Sequence, residues 1–353
     1  MVRIFGRVAA LLSISVLLLL GYPSSAGEIL SGPFGDYQCV QPRGDASRPP
    51  FDPPRIISPE GIPVQVDPPV LQDPLCPPGL VPAPTWIDPS ATKGNPLAPP
   101  DGLGAGDGNQ GTDSPGSPEC AGISHFGACY YYANASYRRN ADGGGMTFTI
   151  ERPFYDGSGG TGHSLAEIAV QGGPGDGNIV EVGWNVSTNQ YGNANPHLFV
   201  FHWIGWTPTC YDACGWVQQS PTYFPGMDLS ALIGRKSYSG WVFWNGNWWA
   251  WFDNQWLGYF PGSEWTQEYR QNGLTQWFGE VATHNGIPPN TEMGNGRFPS
   301  DPAAAKMETL CDVNASDWVC WYRDLQTIGA TNPSYYDILR TAFGATRYGG
   351  PGR

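Results

Sequence analysis

The chain has 353 residues, enough for one large domain or two smaller ones, and its formal net charge is -13. This acidic balance excludes the extended basic surface that nucleic-acid binding requires. Charged residues make up only 14% of the chain, whereas Gly (48), Pro (35) and Trp (15) are abundant, which favours an all-β, loop-rich extracellular protein over a helical one.

The N-terminus has the features of a secretory signal peptide. Arg3 and Arg7 supply a basic start, and Val8–Leu20 is an apolar run that is short for a membrane span. Ser24-Ser25-Ala26 is a small-residue cleavage site. We therefore expect residues 1–26 to be removed and the mature protein to be secreted into the extracellular space, without membrane contact.

Residues 27–118 are rich in Pro, Gly and Asp, a composition that resists both helices and sheet ladders. The segment is either a linker or a pro-segment that covers a groove until it is removed. Ile56-Ile57 and Val64–Val66 are short apolar pieces that can dock on a folded domain. Gly102–Gly116 is the expected processing region.

Strand-like runs separated by turn signals begin after Cys120. They are Cys129–Ala133, Met146–Ile150, Leu165–Gln171, Ile179–Thr188, Leu198–Gly205, Gly215–Gln219, Gly240–Asn245, Trp248–Asp253, Trp256–Phe260 and Gln276–Thr283. The pattern predicts that residues 119–353 form an antiparallel β-sandwich, jelly-roll or concanavalin-like, that folds alone as a monomer. The best helical candidate is Tyr335–Phe343.

The eight cysteines of an exported chain favour disulfides. Their order predicts four local pairs, which are Cys39–Cys76, Cys120–Cys129, Cys210–Cys214 and Cys311–Cys320. A metal site at Cys210 and Cys214 is the alternative, but no suitably spaced histidine pair supports it. The sequence calls for no metal and no organic cofactor.

The stretch Gln171–Val186 places one carboxylate in an apolar strand after a glycine-rich turn. Alternation assigns Val180, Val182 and Trp184 to the core face and Glu181 to the opposite face. Gly183 lies beside Glu181 on that face, and a glycine within a strand often marks a close approach of another backbone. We therefore expect a polypeptide to approach Glu181 there.

Leu274–His284 repeats this arrangement with Glu280. If both strands face one groove, Glu181 and Glu280 form a carboxylate pair, in which one member keeps its proton near neutral pH. Such a pair provides a base and an acid in one place. The alternative is that each is an ordinary solvent-facing glutamate.

A set of ordered motifs between Gly122 and Pro299 resembles the neprosin family of glutamic prolyl endopeptidases. The motifs are Ser164–Ile168, Gly172–Pro174, Ile179–Trp184, His197–Phe201, Thr209–Tyr211, Cys214–Gln218, Gly246–Trp249, Trp277–Glu280 and Thr291–Pro299. No single motif is specific, but their consistent order is.

The resemblance implies an antiparallel β-sandwich with two catalytic glutamates, Glu181 and Glu280, across its concave face. It also implies cleavage of proline-containing peptides after proline, and secretion as a zymogen that works in acid. The Cys210–Cys214 loop matches a family disulfide, with a spacing one residue tighter. The segment before Cys120 does not match the pro-domain that the family leads us to expect.

Several side chains near these strands are candidates for substrate contact. Trp184, Trp249 and Trp277 are the indoles closest in sequence to the proposed groove, and a proline ring can lie flat on an indole. Gln218 or Gln276 is a candidate donor to the carbonyl oxygen.

Other hydrolase classes fit the sequence less well. Serine and zinc hydrolases are disfavoured because Gly-x-Ser-x-Gly and His-Glu-x-x-His motifs do not occur. A retaining glycosidase that uses the same carboxylate pair remains an alternative, as does a lectin-like sandwich with a Trp-rich sugar platform.

Overall fold

The computed structural model describes residues 28–44, 47–85, 120–125, 128–157, 162–173, 177–212, 214–266, 269–284, 289–324 and 327–353. The predicted signal peptide (1–26) and the predicted processing region (102–116) lie outside the described residues.

Strands account for 50% of the described residues and helices for 4%, which confirms the all-β prediction. In chain order the described strands begin with β1 Ile29–Gly32, β2 Gly35–Val40, β3 Arg55–Ile57, β4 Val81–Pro84, β5 Ile123–His125, β6 Ala128–Ala141, β7 Gly143–Thr149, β8 His163–Gln171, β9 Ile179–Val186, β10 His197–Ile204 and β11 Thr207–Pro208. They continue with β12 Val217–Gln218, β13 Lys236–Trp244, β14 Asn247–Phe252, β15 Gln255–Pro261, β16 Asn272–His284, β17 Ala305–Asn314, β18 Val319–Tyr322, β19 Thr327–Ala330, β20 Asp337–Ala342 and β21 Ala345–Gly349. The helix α1 spans Thr188–Tyr191, and no helix in the described part of the chain has the length and apolarity needed to span a membrane.

Two large sheets form the body of the described structure. The eight-stranded sheet has the order β11-β10-β9-β8-β16-β6-β19, with β5 also paired to β6. The ten-stranded sheet has the order β12-β15-β14-β13-β7-β17-β18-β3, extended by β20 and β21 next to β17. The pairing is antiparallel except between β18 and β3.

The main hydrophobic core lies between these sheets and receives side chains from both. Val180, Val182 and Trp184 of β9 enter it from the eight-stranded sheet, as alternation predicts. Met146 and Phe252 enter it from the ten-stranded sheet. The predicted β-sandwich is therefore confirmed.

The outer faces of the two sheets carry separate apolar clusters. Tyr132, Phe199 and Phe278 belong to the cluster on the eight-stranded sheet. Trp249 and Trp251 belong to the cluster on the ten-stranded sheet. Each large sheet is thus apolar on both faces, and the fold must bury both.

Each of the ten predicted strand runs overlaps a strand of the structure. The helix predicted over Tyr335–Phe343 is wrong, because Asp337–Ala342 is strand β20, which forms a hairpin with β21. Gly344, with φ 60°, turns the chain between them. Side-chain pairing across this hairpin overrides the local helical tendency of the segment.

The described part of the N-terminal segment packs at two places. Tyr37, Cys39 and Cys76 join the main core, and other residues lie at the outer face of the ten-stranded sheet. Ile56 of β3 belongs to the apolar cluster there, with Val64 and Val66 packed against it. Strands β1, β2 and β4 form a small sheet of their own. The docking expected for the apolar pieces of this segment is therefore observed.

The four disulfides join the pairs predicted from cysteine order. They are Cys39–Cys76, Cys120–Cys129, Cys210–Cys214 and Cys311–Cys320. Cys210 and Cys214 are therefore a disulfide and not a metal site.

Candidate active site

Three glutamates lie on the outer face of the eight-stranded sheet, which we call the carboxylate face. On β8, Ala169 pairs with Glu181 of β9, and Leu165 pairs with Glu280 of β16. Glu167 lies between these two positions on β8, and side chains two residues apart on a strand share a face. The three glutamates therefore form a diagonal row across three neighbouring strands, with Glu167 in the middle.

Glu181 is completely buried and is held by one indole. The Nε1–H of Trp203 on β10 donates to Oε1 of Glu181 over 3.1 Å. Burial raises the pKa of Glu181 well above its ordinary value, the charge of Glu280 raises it further, and the hydrogen bond from Trp203 lowers it. The charge of Glu280 thus favours the protonated form of Glu181.

Glu280 is also completely buried, and it contacts an imidazole. Nε2 of His163 lies 2.5 Å from Oε1 of Glu280. Burial lowers the pKa of His163 to about 3, so its ring is neutral except in strong acid. Because the ring is neutral, this contact contains a single proton. That proton is bonded either to Nε2 of His163 or to Oε1 of Glu280.

Glu167 occupies space that a glycine provides. Its direct neighbour on β9 is Gly183, and a Cβ atom added there would lie 2.8 Å from Cβ of Glu167 and 2.1 Å from the carbonyl oxygen of Ala166. The expectation that this gap admits a substrate backbone is therefore wrong. Strand β8 fills the gap, and glycine is required because the strands approach closely.

Sequence reasoning did not select Glu167, although the same alternation rule applies to it. Glu167 is a charged residue in an otherwise apolar strand, with Leu165 and Ala169 on its own face. Its position relative to the other two glutamates depends on the pairing register, which local sequence does not specify.

Gln276 is the predicted amide donor that the structure brings to the carboxylate face. It pairs with Ala169, which also pairs with Glu181, so the amide and the carboxylate flank one small side chain. Gln276 is completely buried, and its side-chain nitrogen and oxygen have no hydrogen-bond partner among the described residues. A buried amide in this state is available to a ligand or to water.

The structure corrects the placement of the other predicted substrate contacts. Trp184 and Trp277 point into the main core, where their indoles donate to the carbonyl oxygens of Thr149 and Gly145. Both lie an odd number of residues from a glutamate on the same strand, and alternation therefore turns them to the opposite face.

Trp249 and Gln218 lie in the ten-stranded sheet, away from the glutamates. Trp249 belongs to the apolar cluster on that sheet's outer face. The Gln218 amide donates to the carbonyl oxygens of Ser220 and Tyr223 and accepts from Trp216, so its polar atoms serve the fold.

The aromatic lining of the carboxylate face comes from other residues. Its buried rings are Tyr130, Tyr132, Phe199, Phe201, Trp203, Tyr211 and Phe278. Phe199, Phe201 and Trp203 alternate along β10 and are spaced to share one face.

Three solved structures resemble this chain at low identity. Scytalido-glutamic peptidase with a peptide-based transition-state analog is 12% identical, with 64% of this chain and 99% of that chain covered and a TM-score of 0.38. SCP-B, a member of the Eqolisin family of peptidases in complex with the tripeptide Ala-Ile-His, is 11% identical over 64% and 99% of the two chains, with a TM-score of 0.37. A carbohydrate-binding module from Bacillus subtilis is 12% identical over 48% and 87%, with a TM-score of 0.25.

The family comparison is more specific. The Neprosin family model matches residues 160–351, a span that contains Glu167, Glu181 and Glu280. The matched span is 351 − 160 + 1 = 192 of the 353 residues, more than half of the chain. The protein therefore belongs to the neprosin family.

Proposed function

We propose that this protein is a secreted glutamic endopeptidase that cleaves peptide bonds after proline in acid. The observation that carries the proposal is the burial of Glu181 and Glu280 on one face of one sheet, where the charge of one raises the pKa of the other. Buried, mutually repelling carboxyl groups are typical of acid–base sites, because the fold gains little stability from them.

The two glutamates would divide the proton transfers of hydrolysis. One carboxylate takes a proton from a water molecule as the water oxygen attacks the peptide carbonyl carbon. The other, protonated, donates to the leaving nitrogen as the carbon–nitrogen bond breaks. Because the two titrate as a coupled pair, the roles belong to the pair and not to a fixed residue.

The aromatic side chains of the carboxylate face support a preference for proline. A proline ring is apolar and preorganised, and it packs on an aromatic ring with little loss of conformational entropy. Trp203 contacts a reacting group directly, because its Nε1–H donates to Glu181. It replaces Trp184, Trp249 and Trp277 as the proposed proline contact.

The pKa shift of Glu181 supports work in acid. Burial and the charge of Glu280 both favour its protonated form, so the site keeps an acid when the pH is low. As the pH rises through the raised pKa, that proton is lost and the leaving nitrogen has no donor. Activity should therefore decline toward alkaline pH.

Glu181→Gln and Glu280→Gln are the direct test of this function. Each variant should lose about 10²- to 10⁴-fold in the rate of cleavage of a proline-containing peptide at acid pH, because it lacks one proton-transfer group. Glu151→Gln is a matched control, since Glu151 is half-buried and has a raised pKa but follows β7 of the ten-stranded sheet.

Near-wild-type cleavage by either of the first two variants, with the fold intact, would contradict the carboxylate pair. Polysaccharides incubated in parallel test the alternatives. Sugar release would indicate a glycosidase, and binding without turnover would indicate a lectin.

A further inference from the structure

We propose that Glu167 is a third catalytic residue, a carboxyl group that stays neutral and donates a hydrogen bond to the carbonyl oxygen of the scissile peptide. This inference rests on the proposed function and assigns to the carbonyl oxygen a donor in addition to the candidate amide of Gln276. It is carried by the position of Glu167, by the space made for it and by the groups that face it.

The middle position of Glu167 in the row of glutamates supports the donor role. Neighbouring strands are about 4.8 Å apart and two residues span about 6.7 Å, so on a flat sheet the Cα atom of Glu167 lies about 8 Å from those of Glu181 and Glu280. The outer two would be about 16 Å apart on the same sheet. Glu167 is thus the carboxyl group of the row that lies close to both others.

The burial of Glu167 also supports the donor role. Glu167 is completely buried, and neither of its carboxyl oxygens has a hydrogen-bond partner among the described residues. An ionised carboxylate in this state would be very unfavourable, whereas a neutral acid has a single donor that a substrate can satisfy. The close fit between Glu167 and Gly183 fixes the position of the Glu167 Cβ atom, from which the carboxyl group extends.

The charged groups that face Glu167 favour its neutral form. They are the carboxyl groups of Glu181 of β9 and Glu280 of β16, whereas Tyr132 of β6 and Tyr211 of the loop after β11 keep their protons because burial raises their pKa values. Burial raises the pKa of Glu167 well above its ordinary value, and the charges of Glu181 and Glu280 raise it further. His163 supplies no compensating cation, because burial lowers its pKa to about 3.

Peptide hydrolysis can be completed with Glu167 as a third group that keeps its proton. As the water oxygen bonds to the carbonyl carbon, one outer carboxylate takes the water proton, and the carbonyl π electrons move onto the oxygen. The O–H of Glu167 holds that oxygen without transferring its proton, as an oxyanion donor does. When the carbonyl re-forms, the carbon–nitrogen bond breaks and the other outer carboxyl protonates the nitrogen. The products are a carboxylic acid and an amine, and Glu167 is unchanged.

Two substitutions of nearly equal size separate the neutral-donor role from other roles. Glu167→Gln keeps an N–H donor, so the rate of peptide cleavage at acid pH should fall no more than about tenfold. Glu167→Leu removes the donor and should reduce kcat by about 10²- to 10³-fold, the effect of losing one oxyanion donor. Thermal unfolding of both variants shows whether the fold is intact.

Two kinetic results would overturn the proposal. If Glu167→Gln is as inactive as Glu167→Leu, the residue acts as an ionised carboxylate. If Glu167→Leu is as active as the wild type, Glu167 does not contact the reacting atoms. Residual hydrolysis by Glu181→Gln at the wild-type level would instead refute the proposed carboxylate pair, and the contrast at Glu167 would still be readable.

An infrared measurement tests the neutral state without turnover. The wild type minus Glu167→Gln difference spectrum at neutral pH should contain the carbonyl stretch of one protonated carboxylic acid. A carboxylate band in its place would overturn the proposal, whether or not the protein cleaves peptides.

Discussion

At the scale of single residues, this fold buries carboxyl groups in places where their protonated forms are favoured. Asp212 is an example next to the carboxylate face. Its Oδ1 accepts from the backbone N–H of Val200 over 3.0 Å, and its Oδ2 accepts from the hydroxyl of Tyr191 over 3.2 Å. Burial raises the pKa of Asp212 to about 8 even though both hydrogen bonds lower it.

The raised pKa of Asp212 makes the stability of the protein depend on pH. Because the folded pKa of about 8 exceeds the ordinary 3.8, the contribution of Asp212 is complete below about pH 4 and is lost as the pH rises to about 8. Asp212→Asn should remove this dependence, and Asn tolerates the left-handed backbone (φ 64°) found at this position. Urea unfolding of both proteins between pH 4 and 8 measures it, and parallel curves would contradict the assignment.

At the scale of elements, strands β8 and β9 approach so closely that side-chain size at one position matters. A Cβ atom added at Gly183, beside Glu167, would lie 2.1 Å from a backbone oxygen of β8. Gly329 on β19 is a second strand glycine in the same sheet, and a Cβ atom there would meet nothing within 4 Å. Gly183 is therefore a test position, and Gly329 is a matched control position.

Gly183→Ala should destabilise the protein by about 1–3 kcal/mol, because the new methyl group would push against backbone and Cβ atoms that cannot move independently. It should also lower peptidase activity by displacing Glu167. Gly329→Ala should leave both properties nearly unchanged. Denaturant midpoints and cleavage rates of the two variants test this prediction. Equal effects of the two substitutions would show that the spacing between β8 and β9 does not restrict side-chain size at position 183.

At the scale of the whole molecule, the described N-terminal residues 28–85 cover an aromatic surface. Three side chains of the ten-stranded sheet bind the backbone of this segment. Tyr238 donates to the carbonyl oxygen of Pro54 over 2.7 Å, Trp256 to that of Phe51 over 2.7 Å and Trp318 to that of Asp52 over 2.6 Å. Each of these polar atoms would lose its partner if the segment left.

We therefore expect residues 28–85 to remain bound after the chain is cut between them and Cys120. The four disulfides do not join the two pieces, because Cys39 pairs with Cys76 and the other three pairs lie beyond residue 119. With a protease site introduced at 102–116, the cut pieces should elute together in size-exclusion chromatography and separate only in denaturant. Separation in native buffer, leaving a folded and active remainder, would instead identify the segment as a removable pro-segment.

Strand patterns and cysteine order were sufficient for much of the architecture. The core face of β9 and three of the four disulfides follow from rules that act over a few residues or a short loop, whereas Cys39 and Cys76 are 37 residues apart. The strands after His284 were not predicted, because β17 carries Lys306, Glu308 and Asp312 and is stabilised by its neighbours β7, β18 and β21.

The candidate site also combines features that local sequence determines with features that strand pairing determines. Alternation by itself determined that Glu181 and Glu280 turn away from the residues of the core, because the side-chain period of a strand is a local property. Only the tertiary structure decided that Glu167 stands between them and that Trp203 of β10 binds Glu181. Those relations depend on pairing between β8, β9, β10 and β16, and Glu280 pairs with Leu165 at a sequence separation of 115 (280 − 165). Register over such a distance is selected by the packing of the complete sheet.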